Sequence, residues 1–321
     1  MLLEILLLLV GLALIVFGAD YLVNGSTSIA RKSGVSEFVI GLTIVGMGTS
    51  MPEMVVSVMG ALKGSGDIAI GNVVGSNIFN VFLILGVTAL LAPMVISEST
   101  RKRDIPLNIA ISVLLLFLGM SGTILHIGGN ELGRVEALIM LAIFAVYMYY
   151  SFKTGKSAPE PEASENPEKV YGVFPSILMI IGGLAGLIIG GRMFVNSATE
   201  LAKMMGVSDK FIAVTILAGG TSMPELATCV VAAAKKKGQL ALGNIIGSNI
   251  FNLLLILGVS ALIHPLSFEN IDLVDMGALI MSSVVLLTAV YIGKDHVLDR
   301  KDGILFLICE AAYLAWLFIN L

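Results

Sequence analysis

The sequence predicts an all-α polytopic membrane protein, with ten transmembrane helices arranged as two inverted five-helix repeats. Three observations predict it. The first is composition. Of 321 residues, 57% are hydrophobic and only 13% charged, against roughly 25% charged in a soluble domain. Apolar runs of about 20 residues, enough to cross a bilayer, recur along the whole length. The second is an internal repeat, in which Gly48-Thr-Ser-Met-Pro-Glu53 returns 172 positions later as Gly220-Thr-Ser-Met-Pro-Glu225. The third is the uneven sharing of basic residues between alternate loops.

Taken in order, the expected spans are 2–24, 37–62, 68–93, 105–125, 132–152, 173–197, 210–233, 240–263, 273–292 and 303–319. The first lacks a basic leader and runs past the length of a signal-peptide core, so it is expected to be a retained helix. Between the fifth and sixth spans lies Lys153 to Lys169, including the run Ser157 to Glu168. Its prolines and carboxylates cannot bury a core, and it reads as a solvated linker. The expected organisation is a first repeat over 1–152, a cytoplasmic linker over 153–171 and a second repeat over 172–321.

The repeat extends beyond the hexapeptide. Gly71-Asn-Val-Val-Gly-Ser-Asn-Ile-Phe-Asn80 is matched by Gly243-Asn-Ile-Ile-Gly-Ser-Asn-Ile-Phe-Asn252, and Leu83 to Val87 by Leu255 to Val259, at the same offset. The duplicated motifs fill 41–86 and 213–258. Five spans per half is an odd number, so the second half must enter from the opposite side, related to the first by an axis in the membrane plane. Of the 19 basic residues, 14 fall in one set of loops, among them Arg31, Arg101 to Arg103 and Lys235 to Lys237. The positive-inside rule makes that side cytoplasmic and both termini extracytoplasmic, in a cell (inner) membrane protein.

On a helix, Thr49, Ser50, Glu53 and Ser57 share one face, as do Thr221, Ser222, Glu225 and Cys229. A carboxylate within hydrocarbon costs at least roughly 2.5–3.5 kcal/mol and marks a functional site by default. Pro52 and Pro224 lack an N–H and crowd the carbonyls of Gly48 and Gly220. The turns Gly46-Met-Gly48 and Ala218-Gly-Gly220 are therefore expected to loosen and free carbonyl oxygens. Asn72, Ser76 and Asn80 repeat the spacing with amides, as do Asn244, Ser248 and Asn252. Glycines 71, 75, 243 and 247 allow close helix approach, and Asn72 and Asn244 also suit hydrogen bonding between helices. The inventory is carboxylate, amide, hydroxyl and carbonyl oxygen without imidazole, which suits Ca²⁺ and Na⁺ and not zinc or copper.

Several other residues take plainer readings. Cys229 and Cys309 lie inside apolar segments and read as small buried hydrophobes, with no disulfide framework. His126, His264 and His296 fall in or near loops and read as solvated. Lys235-Lys-Lys237 reads as a topology determinant.

At these duplicated motifs the sequence resembles the cation/calcium exchanger superfamily, and within it the prokaryotic sodium/calcium exchangers. The resemblance covers essentially the whole chain. It implies a site built from Glu53, Glu225, Thr49, Thr221, Ser50, Ser222, Ser76, Ser248, Asn80 and Asn252, completed by carbonyls near Gly46 and Ala218. A central position would take Ca²⁺ and flanking positions Na⁺. Some relatives have aspartate at the position of Asn252, and in the potassium-dependent branch that aspartate goes with potassium transport; proton-coupled relatives carry glutamate in the glycine-asparagine element, where this chain has Ser76 and Ser248 after the glycines. Sodium coupling is implied. The expected function is secondary active exchange of Na⁺ for Ca²⁺ by alternating access, with the long first and sixth spans as the moving gate. The alternative is a proton-coupled Ca²⁺ antiporter, and further off a cation channel. No ATP motif and no nucleophile–base pair is present, so neither an enzyme nor a cofactor is expected. The partners are the two ions and the bilayer, with no nucleic acid.

Overall fold

The structure is a computed structural model that describes residues 1–126, 129–155, 169–206, 218–268, 271–293 and 296–320. Residues 156–168 of the expected linker 153–171, and 210–217 at the start of the seventh span, lie outside the described residues.

The chain is a bundle of helices. Its elements are α1 (Leu2–Ser33), α2 (Glu37–Thr49), α3 (Met51–Leu62), α4 (Gly66–Leu91), α5 (Ile105–Gly119), α6 (Ser121–Ile124), α7 (Arg134–Gly155), α8 (Val173–Met204), α9 (Ala218–Gly220), α10 (Met223–Ala234), α11 (Gly238–Ile263), α12 (Leu273–Ile292) and α13 (Arg300–Asn320). Four two-residue strands join them: β1 (Met94–Val95), β2 (Glu131–Leu132), β3 (Leu266–Ser267) and β4 (Val297–Leu298).

Seven of these helices are long and apolar enough to cross a membrane, and the bent pair α2–α3 makes an eighth. One expected span differs from prediction: residues 105–125 break at Met120, while the helix ahead of α5 continues back through a π-helical turn at Thr100–Asp104. The expected seventh span is described from Ala218 on, as α9 and the 12-residue α10. The first and sixth spans instead overrun their predicted ends, each forming a 32-residue helix. At about 48 Å each exceeds the bilayer core and must tilt or project. The overrun in α1 is ended by Gly34, which takes a left-handed φ of 63° and returns its N–H to the Ala30 carbonyl. Arg31 and Lys32 in its last turn suit the negative end of the helix dipole.

Local sequence explains the other ends. Asp272 accepts from the N–H groups of Val274 and Asp275 at 2.8 and 2.9 Å, while Asp275 accepts from Asp272 N–H, closing a capping box at the start of α12. Asp299 and Asp302 do the same before α13.

Matching helices of the two halves run antiparallel. In α4 the start, Gly66, lies against Leu266 and Ser267 beyond the end of α11, and Gly238 at the start of α11 lies against Met94 beyond the end of α4. The ribbons repeat the relation, since β1 pairs antiparallel with β4 and β3 with β2. Helices α1 and α8 likewise pack antiparallel over their whole length, Gly11 against Gly190 and Gly18 against Gly183. No side chain intervenes there. A Cβ on Gly18 would stand 2.8 Å from the Gly183 carbonyl oxygen, so close backbone approach requires glycine.

The basic loops gather at one pole. Lys237 reaches Glu37 at 3.1 Å, Arg103 donates to Thr154 at 2.7 Å, and the Ser36 N–H donates to the Gly155 carbonyl. His296 is at this pole too, half-buried and hydrogen-bonded to Arg101, which corrects the reading of it as a solvated loop residue. The guanidinium of Arg101 also lies over the Tyr291 ring, holding the histidine loop to the start of α5.

Helices α4 and α11 form the centre. Their most apolar windows are 72% and 83% buried, against 17–28% for α1, α7, α8 and α13, whose apolar side chains point outward. The polar motifs therefore sit in the most enclosed part of the bundle.

Candidate functional site

The helix carrying the first hexapeptide is bent by 48° between α2 and α3, at Ser50. Pro52 stands in the first turn of α3, where its missing N–H costs nothing. Pro224 occupies the same place in α10. The ladder widens to π-helix over Gly41–Val45, and again at Asn80–Leu85 in α4 and Phe251–Ile256 in α11. Such irregular turns cluster at functional sites. One expectation is corrected here. The Gly46 carbonyl is not left free: it accepts from the Ser50 N–H at 3.1 Å, from Ser248 Oγ at 3.3 Å and from Thr49 Oγ1 at 3.4 Å. The widening falls one turn earlier than the proline alone would place it. Ala218 opens the short α9, next to the undescribed 207–217.

Glu53 and Glu225 are both 1% exposed. Each is braced by the other half: Ser50 Oγ donates to Glu225 Oε1 at 2.9 Å, and Ser222 Oγ donates to Glu53 Oε1 at 3.2 Å. Equivalent residues exchange equivalent bonds, the property of a two-fold interface.

The amides follow the same rule. Asn80 Nδ2 donates to Asn249 Oδ1 at 2.9 Å, and Asn252 Nδ2 donates to Asn77 Oδ1 at 3.0 Å. Asn77 and Asn249 then donate to each other's backbone carbonyls at 3.2 and 3.4 Å. With the nitrogens of Asn80 and Asn252 engaged, their oxygens are left over.

Among the described residues, the buried oxygens without a hydrogen-bond partner include Glu53 Oε2, Glu225 Oε2, Asn80 Oδ1, Asn252 Oδ1 and Thr221 Oγ1. Leaving a buried polar group unpaired costs roughly 1–3 kcal/mol, more when it is charged. Five such atoms on the repeated motifs, two of them carboxyl oxygens, form an acceptor set that calls for a cation. No group of three or more His, Cys, Asp or Glu residues occurs among the described residues, so the set is one of two acids supported by neutral oxygens.

The structure brings Thr49, Ser50, Glu53, Ser76, Asn80 and their counterparts Ser222, Glu225, Ser248 and Asn252 into the buried interior, with Thr221 half-buried. Asn72 and Asn244 prove to be struts. Asn72 donates to Ser57 Oγ and the Glu53 carbonyl, and Asn244 donates to Cys229 Sγ while accepting from Thr49 Oγ1 at 3.1 Å. Sequence reasoning missed Asn77 and Asn249, although both stand inside the duplicated glycine-serine-asparagine element. Their one-residue offset from Ser76 and Ser248 places them on another helix face, and only the crossing of α4 and α11 gives that face a partner.

Fold and site together define a helical membrane protein whose two halves share one buried two-carboxylate centre. Residues 3–153 and 175–319 match the sodium/calcium exchanger protein family, and the chain belongs to that family. It is 37% identical over 332 residues to the putative antiporter CaxA of Alkalimonas amylolytica, covering 99% of each chain. It is 34% identical over 344 residues to the sodium/calcium exchanger MaX1 of Methanosarcina acetivorans, covering 98% of each. Among solved structures it is similar to the sodium-calcium exchanger NCX_Mj soaked with 2.5 mM Na⁺ and 10 mM Sr²⁺, with a TM-score of 0.82 at 33% identity over 98% of both chains.

Proposed function

We propose that this chain is a secondary active antiporter that exchanges Na⁺ for Ca²⁺ across the cell membrane by alternating access. One observation carries the reading: Glu53 and Glu225 each present a buried, unpartnered oxygen while the serine of the opposite half holds the other. Two carboxylates balance one Ca²⁺, a hard ion that takes oxygen ligands. The free oxygens of Asn80 and Asn252 and the hydroxyls of Thr49, Thr221, Ser76 and Ser248 supply neutral donors for Na⁺ on either side of it. Because the two ions draw on one acceptor set, occupancy by one opposes the other. That competition couples their movements.

Ten membrane crossings, with the basic pole cytoplasmic and both termini outside, accommodate the antiparallel halves. The mutually packed α1 and α8 are the moving pair, since backbone-to-backbone glycine contact holds them together as one unit against the central helices.

The test is radiolabelled Ca²⁺ uptake into proteoliposomes with Na⁺, K⁺ and pH gradients imposed separately. An outward Na⁺ gradient alone is expected to drive uptake. The neutral amide of Asn252 is expected to make that uptake indifferent to K⁺. Uptake driven by a pH gradient without Na⁺ would instead make the protein a proton-coupled antiporter, and flux without any counter-ion would make it a channel.

A further inference from the structure

Away from the buried centre, the basic pole contains a cavity of about 310 Å³ between the end of α1, the stretch leading into α8 and the α10–α11 turn. Ten described residues line it; four are basic, Arg31, Lys169, Lys235 and Lys237, and none of the ten is acidic. Two of the lysines are paired with carboxylates, Lys235 with Asp20 at 2.5 Å and Lys237 with Glu37 at 3.1 Å. A cation vestibule lined this way would repel its own cargo.

The cavity is built, not incidental. Ser28 Oγ donates to the Asn24 carbonyl at 2.8 Å and accepts the Tyr171 N–H at 3.2 Å, tying residues 169–171 to α1. Lys235 Nζ donates to Asn24 Oδ1 at 2.6 Å. Thr27, also in the lining, is only 6% exposed, and its hydroxyl has no partner. A buried hydroxyl donor beside convergent ammonium and guanidinium groups is the donor set of an oxyanion site.

We propose that this cavity binds a phosphate-class oxyanion, which bridges the α1–α8 pair and the end of α10. Thr27 is six residues before the end of α1, about 9 Å along the helix. That depth suits the phosphate of an anionic lipid headgroup, and basic pockets between membrane helices on the cytoplasmic side bind such groups. A free inorganic phosphate offers the same chemistry. A bound oxyanion holds α1 and α8 to α10 and slows their movement. This consequence rests on the exchange reading, but binding does not.

Binding is therefore tested without transport, by thermal unfolding of the full-length protein. One arm titrates inorganic phosphate against chloride at equal ionic strength in detergent. The other compares nanodiscs of phosphatidylcholine with and without phosphatidylglycerol. A saturable rise in unfolding temperature is expected in at least one arm, and the arm that responds names the source. Arg31→Gln, Lys169→Gln and Thr27→Val are each expected to weaken the phosphate or phosphatidylglycerol effect about tenfold, the loss of one charge-assisted or buried hydrogen bond. Should Arg31→Gln fail to fold, Lys169→Gln, at an exposed position ahead of α8, carries the same test. The control Lys301→Gln removes a charge from the same pole outside the cavity and is expected to change nothing. No saturable rise in either arm, or an equal loss in Lys301→Gln, would overturn the proposal.

Discussion

The two halves of this protein carry nearly the same motifs, yet they are not packed alike. In the second half Gly243, Asn244, Gly247 and Phe251 are all buried, whereas the matching Gly71, Asn72, Gly75 and Phe79 are half-buried. Thr49 is held by Asn244 at 3.1 Å, while Thr221, its counterpart, is half-buried and its hydroxyl unpartnered. A Cβ on Gly243 would run into the Phe38 carbonyl and one on Gly247 into the Leu42 carbonyl. For Gly71 the nearest described atom is Ile271 Cδ1 at 3.9 Å. The Gly243 seam lies toward the basic pole, beside Gly238 and Met94, and the Gly71 seam toward the opposite pole, beside Gly66 and Leu266; positions 210 and 214, which answer to Phe38 and Leu42 in the second half, lie outside the described residues.

The largest expected effect tests the element in which the halves do not differ. Glu53→Gln and Glu225→Gln each keep shape and remove one charge from the centre. Both should lower apparent Ca²⁺ affinity by roughly two decades or more, and Na⁺ affinity by about half as many, because a divalent ion interacts twice as strongly with each carboxylate. A Ca²⁺ titration of Na⁺-driven uptake checks this. Wild-type uptake in either variant would remove the carboxylates from the site.

Glycine substitutions probe the asymmetry directly. Gly243→Ala places a methyl against fixed backbone and should cost about 1–3 kcal/mol through overpacking, read as a fall in unfolding temperature. Gly71→Ala, at a half-buried position, should cost less. Equal destabilisation by both would show that the two seams are packed alike.

Asn77 and Asn249 meet across the pseudo-two-fold axis, so Asn77→Ala and Asn249→Ala should destabilise to the same degree. Each leaves buried partners unsatisfied, a loss of roughly 1–3 kcal/mol. Unequal losses would show that this contact, too, is asymmetric.

The smallest effect concerns the one place where the halves differ in chemistry inside the strut. Ser57 accepts from Asn72 at 3.0 Å and donates to the Ala69 carbonyl, and Cys229 takes the same two partners, Asn244 and the Ala241 carbonyl, at 3.3 and 3.6 Å. Cys229→Ser makes the halves match and should change stability by less than about 1 kcal/mol, since one buried hydrogen-bonding atom replaces another. A larger loss in thermal unfolding would mean that the thiol has a role of its own.

Much of this was legible in the sequence because membrane insertion constrains local composition so strongly. The apolar runs, the duplicated Thr49–Glu53 and Thr221–Glu225 motifs and the clustering of basic loops all follow from the cost of polar groups in hydrocarbon. Helix ends were less legible. The overrun of α1 to Ser33 depends on Gly34, and the break at Met120 falls inside Gly119-Met-Ser-Gly122, a short glycine-serine signal within a long apolar run.

The amino-acid sequence by itself determined which residues enter the buried centre, since spacing along a helix decides which side chains share a face. Only the tertiary structure decided that Ser50 braces the acid of the opposite half, that Asn77 and Asn249 lock the crossing of α4 and α11, and that Arg31, Lys169 and Lys235 line one cavity. These contacts join residues far apart in the chain, and local spacing says nothing about them. The asymmetry lies deeper still. Two nearly identical motifs have nearly identical local preferences, so the difference in burial between Gly71 and Gly243 comes from the tertiary surroundings of each.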